Sequence, residues 1–288
     1  MHAEQTIDDE LSGLDNLEVV EDARPSFALR FWSAAWPKVA AISLVLTIWQ
    51  FAVWREWKKI YVLPSPGMVW ERLVDDISTA KLWSAVFATM RRAVFGFLVS
   101  IVIGGVIGVA VTASKRVRTA IGSLITGLQT MPSIAWFPLA ILVFQKSEAA
   151  IVFVVVLGAA PAIANGVIAG AEQVAPLLTR SGTMLGARGL NLYRTVTLPA
   201  SLPSILGGLK QGWAFAWRSL MAGELLVIIP KFHSIGVRLQ NARDLSDAPE
   251  LMATMILILM IGIVVDSLLF ATAERSVRAR WGLIDPAQ

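Results

Sequence analysis

Long apolar runs almost free of charge alternate with short, strongly charged connections along this chain. That alternation limits the possible folds more than any other feature. A helix needs about 20 mostly apolar residues to cross roughly 30 Å of hydrocarbon. Six segments meet this requirement: about 38–54, 84–113, 119–145, 149–171, 202–229 and 251–273. Trp36, Trp49, Trp54 and Trp57 stand at or near the ends of the first, as an aromatic belt at the membrane surface does. Composition points the same way, with 56% of residues hydrophobic and 16% charged. Soluble domains carry about 25% charged residues. The expected fold class is therefore an all-α membrane protein with six transmembrane helices.

Three parts are expected. Residues 1–36 form an acidic N-terminal tail, residues 37–274 the transmembrane domain and residues 275–288 a C-terminal tail. The acidic stretch from Glu4 to Asp22 is the opposite of the basic start of a secretory signal. Orientation follows from Lys and Arg. With the N-terminus inside, thirteen lie on the inner side and eleven on the outer, and Arg218 within a span accounts for the last of the 25. This is a weak preference for N-in. No cysteine is present, and His2 and His233 are the only histidines, so neither a disulfide framework nor a metal site is expected. The net charge of +4 sits beside the apolar runs instead of forming a basic face, which argues against a nucleic-acid partner.

Between the fourth and fifth spans lies a polar loop, 172–201. Two short amphipathic helices fit it, 176–185 and about 190–196. Gly186 suits a turn that needs positive φ between them. Pro199, after Leu198, is expected to stop the second helix and let the next span begin. The loop thus reads as a compact helix–turn–helix at the membrane surface. Leu190, Leu192, Tyr193 and Val196 offer an apolar surface, and Arg180, Arg188 and Arg194 offer charge.

This spacing resembles the EAA loop of ABC-importer permeases. Gly186 is followed by nine residues and then by Val196, Thr197, Leu198 and Pro199, as in that pattern. The Glu-Ala-Ala positions are instead Arg180, Ser181 and Gly182. Further stretches resemble the nitrate/sulfonate/taurine/bicarbonate permease family in order and spacing: Leu63-Pro64-Ser65-Pro66, Arg91-Arg92-Ala93 entering a Gly-rich helix, Met131-Pro132, Phe137-Pro138, Ala222-Gly223-Glu224 and Glu274-Arg275. The resemblance implies a type I, MetI-like core in the bacterial plasma membrane, with both termini cytoplasmic. It implies a homodimer, two cytoplasmic ATPase subunits docked on the loop, and an extracytoplasmic binding protein on outer segments 55–82, 146–148 and 230–250. ATP and Mg would be held by the ATPase, and no cofactor by this chain, which contains no GxxxxGK[ST] phosphate loop.

Within the spans, Arg218, Glu224 and Asp266 attract attention. A charge at mid-bilayer costs roughly 2.5–3.5 kcal/mol on insertion scales, so each should face protein or water. Residues 218 and 224 are about 240° apart around a helix and cannot neutralise each other as an i,i+4 pair. Arg218 is equally readable as half of an inter-helix pair and as an anion-attracting group in a translocation path. Glu224 fits an outer gate or a structural pair, and Asp266 a structural pair. Gln129, Asn165 and Met221 complete the candidate path. Gly104 and Gly108, and Gly208 and Gly212, permit close helix approach, within one chain or against a second copy. Pro132, Pro138 and Pro161 free carbonyls that need new partners or a wet cavity.

The expected function is a non-catalytic permease subunit of an ATP-driven importer of a small oxyanion, such as an alkanesulfonate or taurine. Nitrate, bicarbonate or a vitamin precursor is the alternative cargo, and an ATP-independent carrier or channel the alternative class. A membrane-embedded enzyme would need a nucleophile–base set, and none is visible.

Overall fold

The computed structural model describes residues 27–229 and 233–280, and among these every regular element is helical. The chain divides into two compact units, one ending at Trp57 and the other starting at Lys58. The first contains α1 (Phe27–Trp54), whose apolar stretch Ala35–Trp54 is long enough to span a membrane. Pro37 lies inside it. The expected boundary at residue 36 therefore falls within a helix, since the apolar pattern already begins at Phe27. Residues 1–26 of the expected tail lie outside the described residues.

The second unit contains α2 (Pro66–Ile77), α3 (Ala80–Ala113), α4 (Lys115–Thr130), α5 (Phe137–Phe144), α6 (Glu148–Glu172), α7 (Pro176–Met184), α8 (Gly189–Leu192), α9 (Leu198–Leu226), α10 (Ile235–Asp244), α11 (Ala248–Val265) and α12 (Ala271–Arg280). Local chemistry sets several starts. Ser65 accepts the Met68 N–H ahead of Pro66, and Thr79 accepts the Leu82 N–H at the head of α3. Such caps satisfy N–H groups that have no partner inside the helix.

Helix α6 forms the centre of the bundle, with α3 and α9 packed along it. Small residues let the backbones close. A Cβ on Gly104 would meet the Ala160 carbonyl oxygen at 2.5 Å, and one on Gly208 would meet Gly166 Cα at 2.5 Å. Both glycine pairs are thus used in packing against α6 within the chain. Pro161 is buried inside α6, surrounded by protein. Phe137, Ile151, Val155, Trp213, Trp217 and Leu220 belong to the main core.

Among the described residues, four helices are long and apolar enough to cross a membrane, α1, α3, α6 and the run Ala248–Ala279. The third expected span is a broken one, with 116–130 and 133–144 bent by 101°. The break falls at Met131-Pro132, and Pro138 sits in the first turn of α5, where its missing N–H is harmless. Helix α9 covers the fifth expected span with 29 residues, about 43 Å at the α-helical rise, but is not among those four apolar helices. Lys210, Gln211 and Arg218 make it the least apolar of the long helices. The expected C-terminal tail begins inside α12, and residues 281–288 lie outside the described residues.

Candidate functional site

The 176–197 connection caps one end of α6 and α9, here the loop end. Helix α7 closes in a Schellman motif. Gly186 stands at φ +87°, its N–H bonds the Thr183 carbonyl at 3.1 Å, and the Ala187 N–H bonds the Gly182 carbonyl at 3.0 Å. No atom would crowd a Cβ on Gly186, so glycine is required there by backbone conformation alone. Gly189 follows at φ +53° and opens α8.

Two expectations for the loop need correction. Pro199 does not stop a helix: α8 runs through a π-turn, Tyr193–Thr197, into α9. The Leu198 N–H reaches back five residues to the Tyr193 carbonyl. This wider turn makes room for the proline ring that a regular turn would exclude. Nor do Leu192 and Val196 form the exposed surface. A Cβ on Gly182 would meet Leu192 Cδ1 at 2.8 Å and Val196 Cγ2 at 2.9 Å, so both side chains pack inward on α7. Tyr193 is half-buried, whereas Leu190 and Leu198 are exposed. The outward apolar surface is Met184 (87% exposed), Leu185 (89%) and Leu190 (73%). Arg180, Arg188 and Arg194 are exposed and make no side-chain ion pair among the described residues.

At the other end of α6 and α9, the far end, charge is sequestered. Glu224 is 1% exposed and Arg92 4%. The guanidinium donates to Glu224 Oε1 from Nη1 at 2.8 Å and to Glu148 Oε1 from Nη2 at 2.5 Å. Thr89 Oγ1 donates to Glu224 Oε2 at 2.9 Å, and the Gly236 N–H donates to the same oxygen at 3.0 Å. A second cluster joins α2, α10 and α11. Arg72 Nε bonds Glu250 Oε2 at 2.5 Å, and Arg238 pairs with Asp76 and Glu250. The hydrogen bond to Glu250 holds the Arg72 guanidinium above its ordinary value, against the opposing effect of burial.

Arg218 differs from both clusters. It is exposed, its Nε donates to the Ala214 carbonyl of its own helix at 3.1 Å, and it lies 4.6 Å from the Phe215 ring centroid. It makes no salt bridge among the described residues. It borders two cavities. One, of about 260 Å³, is lined by Gln129, Thr130, Ser133, Phe215 and Ala222 at the break in the third span. The other, of about 760 Å³, lies between α9 and α11 beside Trp213 and Trp217. Asn165 donates to Gln129, tying that side chain to α6. Asp266 pairs with Lys210 at 3.2 Å on the wall of the larger cavity. Met221 packs on the main core, and Glu224 borders neither cavity. The structure therefore groups Arg218 with Gln129 and separates both from Glu224.

Residues 96–279, more than half of the chain, match the family of binding-protein-dependent transport system inner membrane components. The chain belongs to this permease family. The permease is 28% identical to the nitrate import permease protein of Synechocystis over 80% of its own length and 86% of that protein's. It is 25% identical to the taurine transport system permease protein of Escherichia coli K12, over 82% and 87% of the two chains. Its fold is like that of a chain of the MetNI methionine ABC transporter, with a TM-score of 0.58 at 17% identity, covering 69% of the permease and 95% of that chain. The all-α, MetI-like class read from the sequence is the class observed.

Sequence reasoning missed Thr89, Gly236 and the packing role of Gly182. Thr89 and Arg92 are three apart and so share a helix face, a signal that was available. Gly236 is the seat of α10: a Cβ there would overlap the Glu224 Cβ. Nothing local to Ser234-Ile235-Gly236 names the helix it lands on.

Proposed function

We propose that this permease is the membrane subunit of an ATP-driven importer for a small oxyanion, an alkanesulfonate or taurine, and that Arg218 lines its path. The observation that carries this reading is an arginine within the long helix α9 that has no carboxylate partner among the described residues and borders two cavities. A cation so placed is stable only against water, an anion or another chain. A passing oxyanion would find guanidinium donors there, with Gln129 and Ser133 beside them. The similarity to the taurine permease protein supports a sulfonate. The similarity to a nitrate permease protein favours nitrate as the second reading.

In this reading two copies of the chain enclose the path. Two ATPases, which hold ATP and Mg, seat on Met184, Leu185 and Leu190 with Arg180, Arg188 and Arg194 around them. The loop end and both termini are then cytoplasmic, and a binding protein delivers cargo at the far end. Closure of the ATPases drives alternating access without covalent chemistry in this chain.

Uptake of radiolabelled taurine by cells expressing the permease with its ATPase and binding protein tests the proposal. Vanadate should abolish uptake, and Arg218→Gln should reduce it at least about 10-fold, with the permease still inserted, as expected for loss of one charged contact. Uptake insensitive to vanadate but collapsed by an uncoupler overturns the ATP-driven reading. Wild-type uptake by Arg218→Gln overturns the role of Arg218.

A further inference from the structure

We propose that Glu224 is a positioning residue that fastens helix α10 to α9, so that contact at the far-end surface reaches the loop end along one helix. The inference rests on the permease reading above.

Glu224 is a fully buried side chain whose oxygens serve two other elements. Arg92 and Thr89 reach it from α3, and the backbone of α10 reaches it through the Gly236 N–H. Thr89 Oγ1 in turn accepts the Ile235 N–H at 3.0 Å. Ser234 Oγ accepts the Val237 N–H. The first three N–H groups of α10, which have no partner within a helix, are thus all satisfied, two of them by the Glu224 cluster. The positive end of the α10 dipole rests on a carboxylate. Contact is also steric, because Gly236 leaves no room for a Cβ against the Glu224 side chain and backbone. Helix α10 is seated on α9 by hydrogen bonds, charge and shape at one point.

The other side of α10 faces the second cluster. Arg238 pairs with Asp76 of α2 and Glu250 of α11. A cavity of about 590 Å³ lies beside these residues, with Lys81, His233 and Asn241 on its rim. Helix α10 is therefore gripped on both sides, by the far-end surface and by α9. From Glu224 the chain runs helically back through Leu198 and the π-turn to Gly189, next to Gly186. A displacement of α10 has a direct mechanical route to the loop.

The chemistry requires a carboxylate. Only an acceptor-only group meets an N–H, an O–H and a guanidinium together. Glutamine keeps the volume of glutamate but turns an NH₂ toward one of these donors. Glu224→Gln thus loosens the joint without opening a cavity.

The test uses the complete complex, permease with its ATPase and binding protein, in proteoliposomes. ATP hydrolysis is measured with and without binding protein loaded with taurine. Glu224→Gln should keep basal hydrolysis while its stimulation falls by about 10-fold, a usual size for coupling between sites. Hydrogen exchange within 235–244 should accelerate and that of α6 stay unchanged. Arg238→Gln, on the opposite side of the same helix and with Arg72 still pairing Glu250, should uncouple in the same way. Stimulation equal to wild type in Glu224→Gln overturns the proposal, and so does a loss proportional to the fraction of folded complex. If Glu224→Gln fails to assemble, Arg238→Gln decides, and normal stimulation in it overturns the proposal. A wild-type complex with no ATP-dependent uptake sinks the permease reading instead, a result separable from failure of the joint.

Discussion

The two ends of the α6–α9 bundle handle charge and apolar surface in opposite ways. At the far end, Arg92, Glu148 and Glu224 are drawn together with polar partners supplied by α3 and α10. At the loop end, Met184, Leu185 and Leu190 project outward, and three arginines stand without carboxylates among the described residues. Soluble monomers rarely leave contiguous apolar patches uncovered, and such patches commonly mark contact sites. One end pairs its buried charges within the chain, whereas the other has the composition of a surface awaiting a partner. Mutations at the two ends should therefore separate stability from function.

The largest effect on stability is expected at the far end. Glu224→Leu removes one of the two carboxylates that Arg92 bonds and strands the Thr89 hydroxyl and the Gly236 N–H. Breaking a buried pair from one side costs about 3–5 kcal/mol. Thermal unfolding of purified protein in detergent should show a large fall in Tm. An unchanged Tm would mean that the cluster is no more than a surface arrangement, and the contrast between the ends would fail.

The smaller, second effect concerns Gly186. A Cβ at Gly186 meets no neighbouring atom, and at φ +87° the penalty of a side chain there is backbone strain. Left-handed conformation costs an L-residue roughly 1–2 kcal/mol. Gly186→Val should therefore insert and remain folded by circular dichroism, yet lose transport, because the Schellman turn can no longer set the angle between α7 and α8. Normal transport by this variant would separate the turn from coupling.

The same contrast explains what was legible in the sequence. Span positions were readable because hydropathy is a local property, and the turn at Gly186 was readable because glycine, spacing and flanking residues all signal locally. The partner of Glu224 was not, since Arg92 lies 132 residues away in the chain and only the α3–α9 contact brings them together. The same holds for Arg218. Its 240° offset from Glu224 excluded a pairing between the two, but its place between two cavities depends on α4 and α11. The continuation through Pro199 was missed for a different reason. Proline normally ends a regular helix, and here a five-residue π-turn supplies the space its ring needs. Leu192 and Val196 look outward by amphipathic pattern, but Gly182, a missing side chain on α7, draws them in.

The smallest effect on stability belongs to the outward Met184 and Leu185, and it gives the sharpest comparison. Leu185 is almost fully exposed and closes α7 with a backbone bond to the Ser181 carbonyl that any residue can make. Leu185→Ser and Met184→Ser together remove apolar surface that touches little of this chain. Surface changes of that kind stay within about 0.5 kcal/mol, so Tm should barely move. Co-purification of the ATPase with a tagged permease should nevertheless fall sharply, because buried apolar anchors dominate protein interfaces. Glu224→Gln should behave in reverse, keeping the ATPase bound while its hydrolysis no longer responds to the binding protein. If the double serine variant retained the ATPase at wild-type yield, the exposed apolar patch would not be the seat of the partner. Docking would then have to rest on Arg180, Arg188 and Arg194, and high salt should release the ATPase, since exposed ion pairs are screened within about 10 Å at 0.1 M.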